Sequence, residues 1–296
     1  MSGWSFAVPL KIYTEKERNM FKNEDYPRSP VEKQGWKLTF LEDFDSPLLD
    51  DMYWFPAYRS GRKEYFKRIG RPSRWQNHNA YYEITDSVLK LKITPDLPPR
   101  KNPEDWCVSC ICTSDHRFGE TTKEFQLLEK FAQEFGRFEA RCRCAKAKGG
   151  ILNAFWLHHT DPLTQEYTPE GEFRRETGEK LEIDIFETIA GEISETSSFT
   201  HFNLHYADNA HFAPNLPVDL SKHFHEFAVE WDPDTIGWFI DGQEVARYHG
   251  ETPRGKMFIL LALFQYSGWI GEIDPAMEYP KEFEVDYVRV YKRIQA

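Results

Sequence analysis

Leu181-Glu182-Ile183-Asp184-Ile185-Phe186-Glu187-Thr188 places three carboxylates within six residues and fills every gap between them with a branched or aromatic apolar residue. A solvated acidic run is not built this way. The alternation of Glu182, Ile183, Asp184 and Ile185 is the period-2 signature of a β-strand with one acidic and one apolar face. Strict alternation leaves Glu187 on the apolar side. One extra residue, a β-bulge at Ile185 or Phe186, returns it to the acidic side. Like charges on one face repel, so this strand costs stability unless the face has a task.

Outward from that strand, the same period recurs in short segments. Residues 36–40, 108–113, 136–144, 198–206, 224–231 and 283–291 read as strands, with apolar runs at 151–157 and 257–264. Residues 81–84 and 88–93 form a hairpin across Thr85-Asp86-Ser87, and Asp241-Gly242 is a type I′ hairpin signal between 237–240 and 244–248. Helical periodicity is scarce. Only Thr121 to Phe135 reads as a short helix. Many short strands with turn signals predict an all-β sandwich or barrel, with one domain over 35–296. Residues 1–34, mixed polar and aromatic, are expected to be an extension that packs on that body or frays.

The chain has 296 residues, of which 16% are Phe, Trp or Tyr; 37 Lys and Arg stand against 48 Asp and Glu, for a formal charge of -11. That balance argues against nucleic acid and anionic membranes as partners and suits a neutral polymer. A monomer is expected. Cys107, Cys110, Cys112, Cys142 and Cys144 are odd in number and lack a tight disulfide framework. Cys107-x2-Cys110 admits a zinc reading, but Cys110 and Cys112 alternate with apolar neighbours, as small hydrophobes on a strand do. The N-terminus shows no basic region followed by an apolar one. The protein is therefore expected in the cytoplasm if the chain starts natively here, and outside the cell if a signal was removed.

Aligned carboxylates on a strand have three physical readings. A calcium site needs six to eight oxygens from around the ion, whereas a strand aims its side chains one way. A buried structural network needs compensating partners. Glycoside hydrolysis needs two carboxyl groups flanking the scissile bond, and a third between them tunes the acid by like-charge proximity. The outer Cα atoms stand roughly 13 Å apart along the strand. The side chains must lean inward over a curved sheet to reach the ~5–5.5 Å spacing of a retaining pair.

Glu182-Ile183-Asp184-Ile185-Phe186-Glu187 resembles the Glu-x-Asp-x-x-Glu signature of glycoside hydrolase family sixteen, in its bulged, laminarinase-like form. Phe135-Gly136-Arg137-Phe138-Glu139-Ala140-Arg141, Asn153-Ala154-Phe155-Trp156-Leu157, Phe224-His225-Glu226-Phe227-Ala228-Val229-Glu230-Trp231 and Val285-Asp286-Tyr287-Val288-Arg289-Val290-Tyr291 arrive in the family's order. The resemblance implies a β-jelly-roll sandwich of two curved antiparallel sheets with a concave substrate cleft. It implies Glu182 as nucleophile, Glu187 as acid/base and Asp184 as the carboxylate that tunes the pair. A β-1,3-type glucan is the expected substrate of a retaining endo-hydrolase. An endo-β-galactanase, a transglycosylase and a non-catalytic glucan-binding protein on the same fold are the alternatives.

Trp156 matches the family's cleft tryptophan, and His205 falls where members often carry a cleft histidine. Trp75, Tyr266 and Trp269 sit in loops that could line the cleft, where aromatic faces suit sugar rings. Trp231 and Trp238 read as core. Arg59, Arg62, Arg68, Arg71 and Arg74 form a solvated loop or contact an anionic sugar. The chemistry requires no cofactor; many relatives hold a structural calcium, whose matching residues are Asp43 or Glu42 and Asp286. The loop that usually reads Gly-Gly-Asn-Trp is here Gln265-Tyr266-Ser267-Gly268-Trp269, a departure that bears on the sugar recognised.

Overall fold

Two tight turns show the local logic of the chain. Asp86 and Ser87 both adopt positive φ (53° and 56°), as do Asp241 and Gly242 (51° and 73°), the geometry of two-residue type I′ hairpins. Each joins neighbouring antiparallel strands. The structure, a computed structural model, describes residues 21–58, 80–98, 106–118, 125–160, 165–167, 173–176, 181–206 and 209–294.

In chain order the strands are β1 (Trp36–Glu42), β2 (Tyr82–Thr85), β3 (Val88–Ile93), β4 (Cys107–Cys112), β5 (Ser114–Phe118), β6 (Phe125–Glu129) and β7 (Gly136–Arg143). Next come β8 (Ile151–His159), β9 (Gln165–Tyr167), β10 (Phe173–Glu176), β11 (Glu182–Ile189), β12 (Ser198–Phe199), β13 (His201–His205) and β14 (Ala210–Phe212). The last are β15 (Asn215–Leu216), β16 (His225–Trp231), β17 (Thr235–Ile240), β18 (Gln243–His249), β19 (Met257–Gln265) and β20 (Lys281–Arg293).

An eight-stranded sheet runs β18-β17-β16-β7-β20-β3-β2, with β1 also on β20; a six-stranded sheet runs β14-β13-β11-β8-β19-β4. Every pairing within them is antiparallel. This is the expected antiparallel sandwich of jelly-roll type.

Between the sheets, Leu89, Phe138, Val229, Trp238 and Val288 of one meet Leu157, Ile183, Phe186 and Ile259 of the other. Phe186 stands 4.1 Å from Phe227 and 5.8 Å from Phe283, ring to ring across the interface. Trp231 and Trp238 lie in this core, as expected. The six-stranded sheet is apolar on its other face too. There Cys110, Trp156, Leu260 and Phe264 form a second cluster. Burial on both faces explains why β4 and β19 are buried along their whole length and read as continuous apolar runs. All five cysteines are buried.

One sequence expectation fails. Within the stretch read as a short helix, residues 125–129 are β6, paired with β5. The backbone of Lys130 and Phe131 then bonds to Thr113, and that of Gln133 to Met257. Partners distant in sequence satisfy these amides, and that outweighs a modest local helix propensity.

The outer face of the eight-stranded sheet is ionic. Arg137 bridges three carboxylates, Glu139 at 2.7 Å and Glu226 and Glu230 at 3.1 Å each. Burial, and then the charge of Glu226, push the Glu139 carboxyl upward. Residues of the N-terminal segment lie over this face. Tyr26 N–H donates to the Phe224 carbonyl at 2.8 Å, Arg289 to the Ser29 carbonyl at 2.8 Å, and Lys33 stands 3.3 Å from Glu139. Removing one partner of a buried ion network leaves an uncompensated charge. Arg137→Ala, which strands Glu139 and Glu226 against each other, is expected to cost about 3–5 kcal/mol in chemical denaturation. Lys22→Ala, in an exposed pair with Glu24, leaves the denaturation midpoint unchanged.

Candidate active site

The bulge in β11 is visible in its register with both neighbours. Against β8, Asp184 pairs with Trp156 and Phe186 with Phe155, so Ile185 is the extra residue. Against β13, Asp184 pairs with Asn203 and Glu187 with His201. Ile185 and Phe186 therefore both enter the inter-sheet core. Glu182, Asp184 and Glu187 share the opposite face, where all three line one cleft of about 310 Å³. Trp238 reaches across the core from β17 and donates to the Asp184 carbonyl at 2.8 Å, tying the strand to the far sheet at the residue before the bulge.

Neighbouring β13 supplies the polar groups around the acids. His205, Asn203 and His201 are the register partners of Glu182, Asp184 and Glu187. His205 Nε2 stands 3.4 Å from Asp184 Oδ2 and 3.6 Å from Glu182 Oε1. Asn203 Nδ2 donates to Glu187 Oε2 at 2.8 Å. Asp184 is 2% exposed, and its Oδ2 accepts no hydrogen bond. The acids thus sit in different surroundings: Glu182 and Asp184 share an imidazole, and Glu187 has an amide donor.

Apolar groups close the floor. Trp156, only 5% exposed, packs against Phe264 at 5.7 Å and Tyr58 at 6.5 Å. Tyr266 lies 4.9 Å from Trp106, and burial, followed by the charge of Glu187, holds its phenol in the protonated form. Trp269, at 56% exposed, stands at the rim with its ring edge-on to His201 at 5.8 Å. His201 Nε2 lies 2.7 Å from Glu192, and its other nitrogen lies 3.1 Å from His211.

The structure brings Trp156, Tyr266, Trp269 and the three carboxylates to one cleft. His205 joins the carboxylates by its contacts with Glu182 and Asp184. Trp156 lines the cleft from its floor, where it is largely buried. Trp75 and the arginines Arg59, Arg62, Arg68, Arg71 and Arg74 lie outside the described residues. Asn203, Tyr58 and Trp106 were not singled out from the sequence. For Asn203 the signal existed, since alternation in β13 places it on the face of His205. Tyr58 and Trp106 reach the cleft from segments with no periodic pattern.

The pair expected to hold calcium does not fit that ion. Asp286 Oδ2 accepts from Arg28 at 2.9 Å and Arg141 at 2.8 Å, and Asp43 Oδ1 from Arg289 at 3.3 Å and Arg28 at 3.4 Å. Glu42 is engaged by the Phe44 amide at 2.8 Å and the Trp54 indole at 2.9 Å. Three guanidinium groups already supply the positive charge a calcium ion would bring, and they would repel it.

Comparison with known proteins bears on the family and the fold. The profile of the glycosyl hydrolases family 16 matches residues 73–289. Among curated relatives, the glucan endo-1,3-beta-glucosidase A1 of Niallia circulans is 23% identical over 287 residues, covering 87% of this chain and 38% of that protein. The chain spans about half the length of several other curated relatives, the beta-glucanases among them. The GlcNAcα1-4Gal-releasing endo-β-galactosidase of Clostridium perfringens superposes with a TM-score of 0.70 at 24% identity, over 92% of this chain and 65% of that one. The laminarinase catalytic domain of Thermotoga petrophila superposes with a TM-score of 0.65 at 20% identity, over 88% and 99%. At these identities the superpositions speak for the fold. The profile match spans most of the chain and includes the bulged strand, and so this protein belongs to glycosyl hydrolases family 16.

Proposed function

We propose that the chain is a retaining, endo-acting glycoside hydrolase that cleaves internal β-linkages of a polysaccharide, with a β-1,3-linked glucan as substrate. The observation that carries this reading is the placement of Glu182, Asp184 and Glu187 together in one aromatic-lined cleft by a single bulge. The name of the Niallia circulans relative supports the choice of linkage.

In the first step Glu182 attacks the anomeric carbon, while Glu187 delivers its proton to the departing glycosidic oxygen. A covalent glycosyl-enzyme forms and the glycosidic bond breaks. In the second step Glu187, now a carboxylate, takes a proton from water, whose oxygen displaces Glu182 with a second inversion and net retention. Asn203 holds Glu187 in place through both steps by donating to one oxygen, leaving the other to carry the proton. His205, when protonated, sets a positive charge between Glu182 and Asp184, where two carboxylates otherwise repel. The buried aromatic floor lowers the local dielectric and strengthens these interactions.

A panel of β-1,3-glucan, mixed-linkage glucan and β-galactan, with the anomeric form of the first product read by NMR, tests the assignment. Release of β-configured oligosaccharides from β-1,3-glucan is expected. Cleavage of β-galactan alone would move the substrate to galactosides, and an inverted product would remove Glu182 as nucleophile. Glu182→Ala should abolish turnover with the fold intact, and Glu187→Ala should lower kcat by about 10²–10⁴. With an aryl glycoside whose leaving group needs no proton, the Glu187 variant recovers its first step and the Glu182 variant does not.

Asn203→Ala removes a hydrogen bond to a charged group, worth about 1.5–3 kcal/mol, and is expected to lower kcat by roughly 10–100-fold. An unchanged kcat would show that Asn203 does not position the acid. Trp269→Ala, at an exposed rim position, should raise KM roughly 2- to 12-fold without altering the melting temperature, as expected for loss of one stacking contact worth ~0.5–1.5 kcal/mol. Trp156→Ala should instead lower the melting temperature, because it empties part of the floor.

A further inference from the structure

Among the described residues, Glu182, Asp184 and His205 form a group whose ligand atoms all lie within 4.8 Å of one another. Two of the separations are 3.4 Å and 3.6 Å, from His205 Nε2 to Asp184 Oδ2 and Glu182 Oε1. A tetrahedral zinc ion with bonds of ~2.0–2.1 Å spaces its ligands about 3.3–3.4 Å apart. The histidine edges of the triangle are therefore close to the required length before any ion arrives. Asp184 Oδ2 is buried and accepts no hydrogen bond, an arrangement that costs free energy in a protein interior unless a cation or donor satisfies it. Glu182 and Asp184 also line the cleft, from which water can complete the coordination.

We propose that Glu182, Asp184 and His205 form a three-ligand site for zinc-class divalent ions, and that an ion bound there switches the enzyme off. One imidazole nitrogen and two carboxylate oxygens suit Zn²⁺ and Co²⁺. Ca²⁺ and Mg²⁺ require six or more oxygens around the ion, which one strand face and a histidine do not supply. Inhibition follows from the ligand set. The lone pair that Glu182 would direct at the anomeric carbon is committed to the metal, and the ion occupies the space between that carboxylate and the sugar. The metal competes with substrate and takes no part in turnover.

The neighbouring His201, Glu192 and His211 make a useful contrast. The two ring nitrogens of His201 face different partners, Glu192 at 2.7 Å and His211 at 3.1 Å, so this group does not converge on a point.

The inhibitory half of the proposal rests on Glu182 being the nucleophile; the binding half does not. Calorimetry of the full chain with ZnCl₂, together with the visible spectrum of the Co²⁺ form, measures binding without reference to activity. Micromolar Zn²⁺ affinity and an intense tetrahedral Co²⁺ spectrum are expected, with no heat from CaCl₂. His205→Ala and Asp184→Asn should each weaken Zn²⁺ binding at least tenfold, whereas His201→Ala/His211→Ala should leave it unchanged. The isosteric Asp184→Asn and the melting temperature of each variant guard against misfolding. Absence of Zn²⁺ binding below millimolar concentration, or equal affinity in His205→Ala, would overturn the site. In the polysaccharide assay, Zn²⁺ should raise the apparent KM, and EDTA should restore it. A Zn²⁺-saturated enzyme that still hydrolyses at full rate would overturn the inhibitory half and the role of Glu182, while leaving the measured site standing.

Discussion

The placement of Ile185 and Phe186 side by side in the inter-sheet core is the constraint on which this molecule turns. A regular strand would send one of them to the opposite face. Burying a large apolar side chain contributes roughly 1.5–3 kcal/mol, and a bulge gives up about one ladder hydrogen bond, worth ~0.5–1.5 kcal/mol. The apolar gain outweighs the lost bond. The result is a two-residue step that carries Glu187 to the side of Glu182 and Asp184. Packing energy in the core thus determines the geometry of the carboxylates on the far side of the same strand.

That far side depends on a second feature, the double burial of the six-stranded sheet. Its inner face packs on the eight-stranded sheet, and its outer face carries the cluster of Cys110, Trp156, Leu260 and Phe264. The acids therefore rise from an apolar floor. Charges in such a setting interact strongly, because little water screens them. Asn203 and His205 are the groups that meet them. Asp184 Oδ2 is buried without a hydrogen bond, with His205 Nε2 3.4 Å away.

The outer face of the eight-stranded sheet solves the opposite problem. There Arg137 is matched by Glu139 and Glu226, Arg141 by Asp286 and Arg289 by Asp43, and the segment around Arg28, Ser29 and Lys33 covers them. Arginine suits this role because its planar fork can reach several carboxylates at once. Engaged by arginines in this way, Asp43 and Asp286 do not suit the cation that the family resemblance suggested. One sheet face is neutralised for stability, and one face of the other keeps its charge for chemistry.

Much was legible in the sequence, because local rules dominate there. Strand period, the Asp241-Gly242 turn, the acidic strand and the need for a bulge follow from alternation and turn chemistry alone, and so does the burial of the cysteines. Tertiary contacts decided the rest. Residues 125–129 became a strand because β5 offered it partners. Asp43 and Asp286 were claimed by arginines from three separate parts of the chain. Asn203 and His205 acquired their partners only when β13 aligned beside β11. Tyr58 and Trp106 reached the cleft from irregular segments that no period describes. By itself the sequence determined which face of one strand would be acidic, since side-chain direction along a strand is a local property of the backbone. Which groups meet that face was left to the tertiary structure, because contacts between residues far apart in the chain form only once the sheets are assembled.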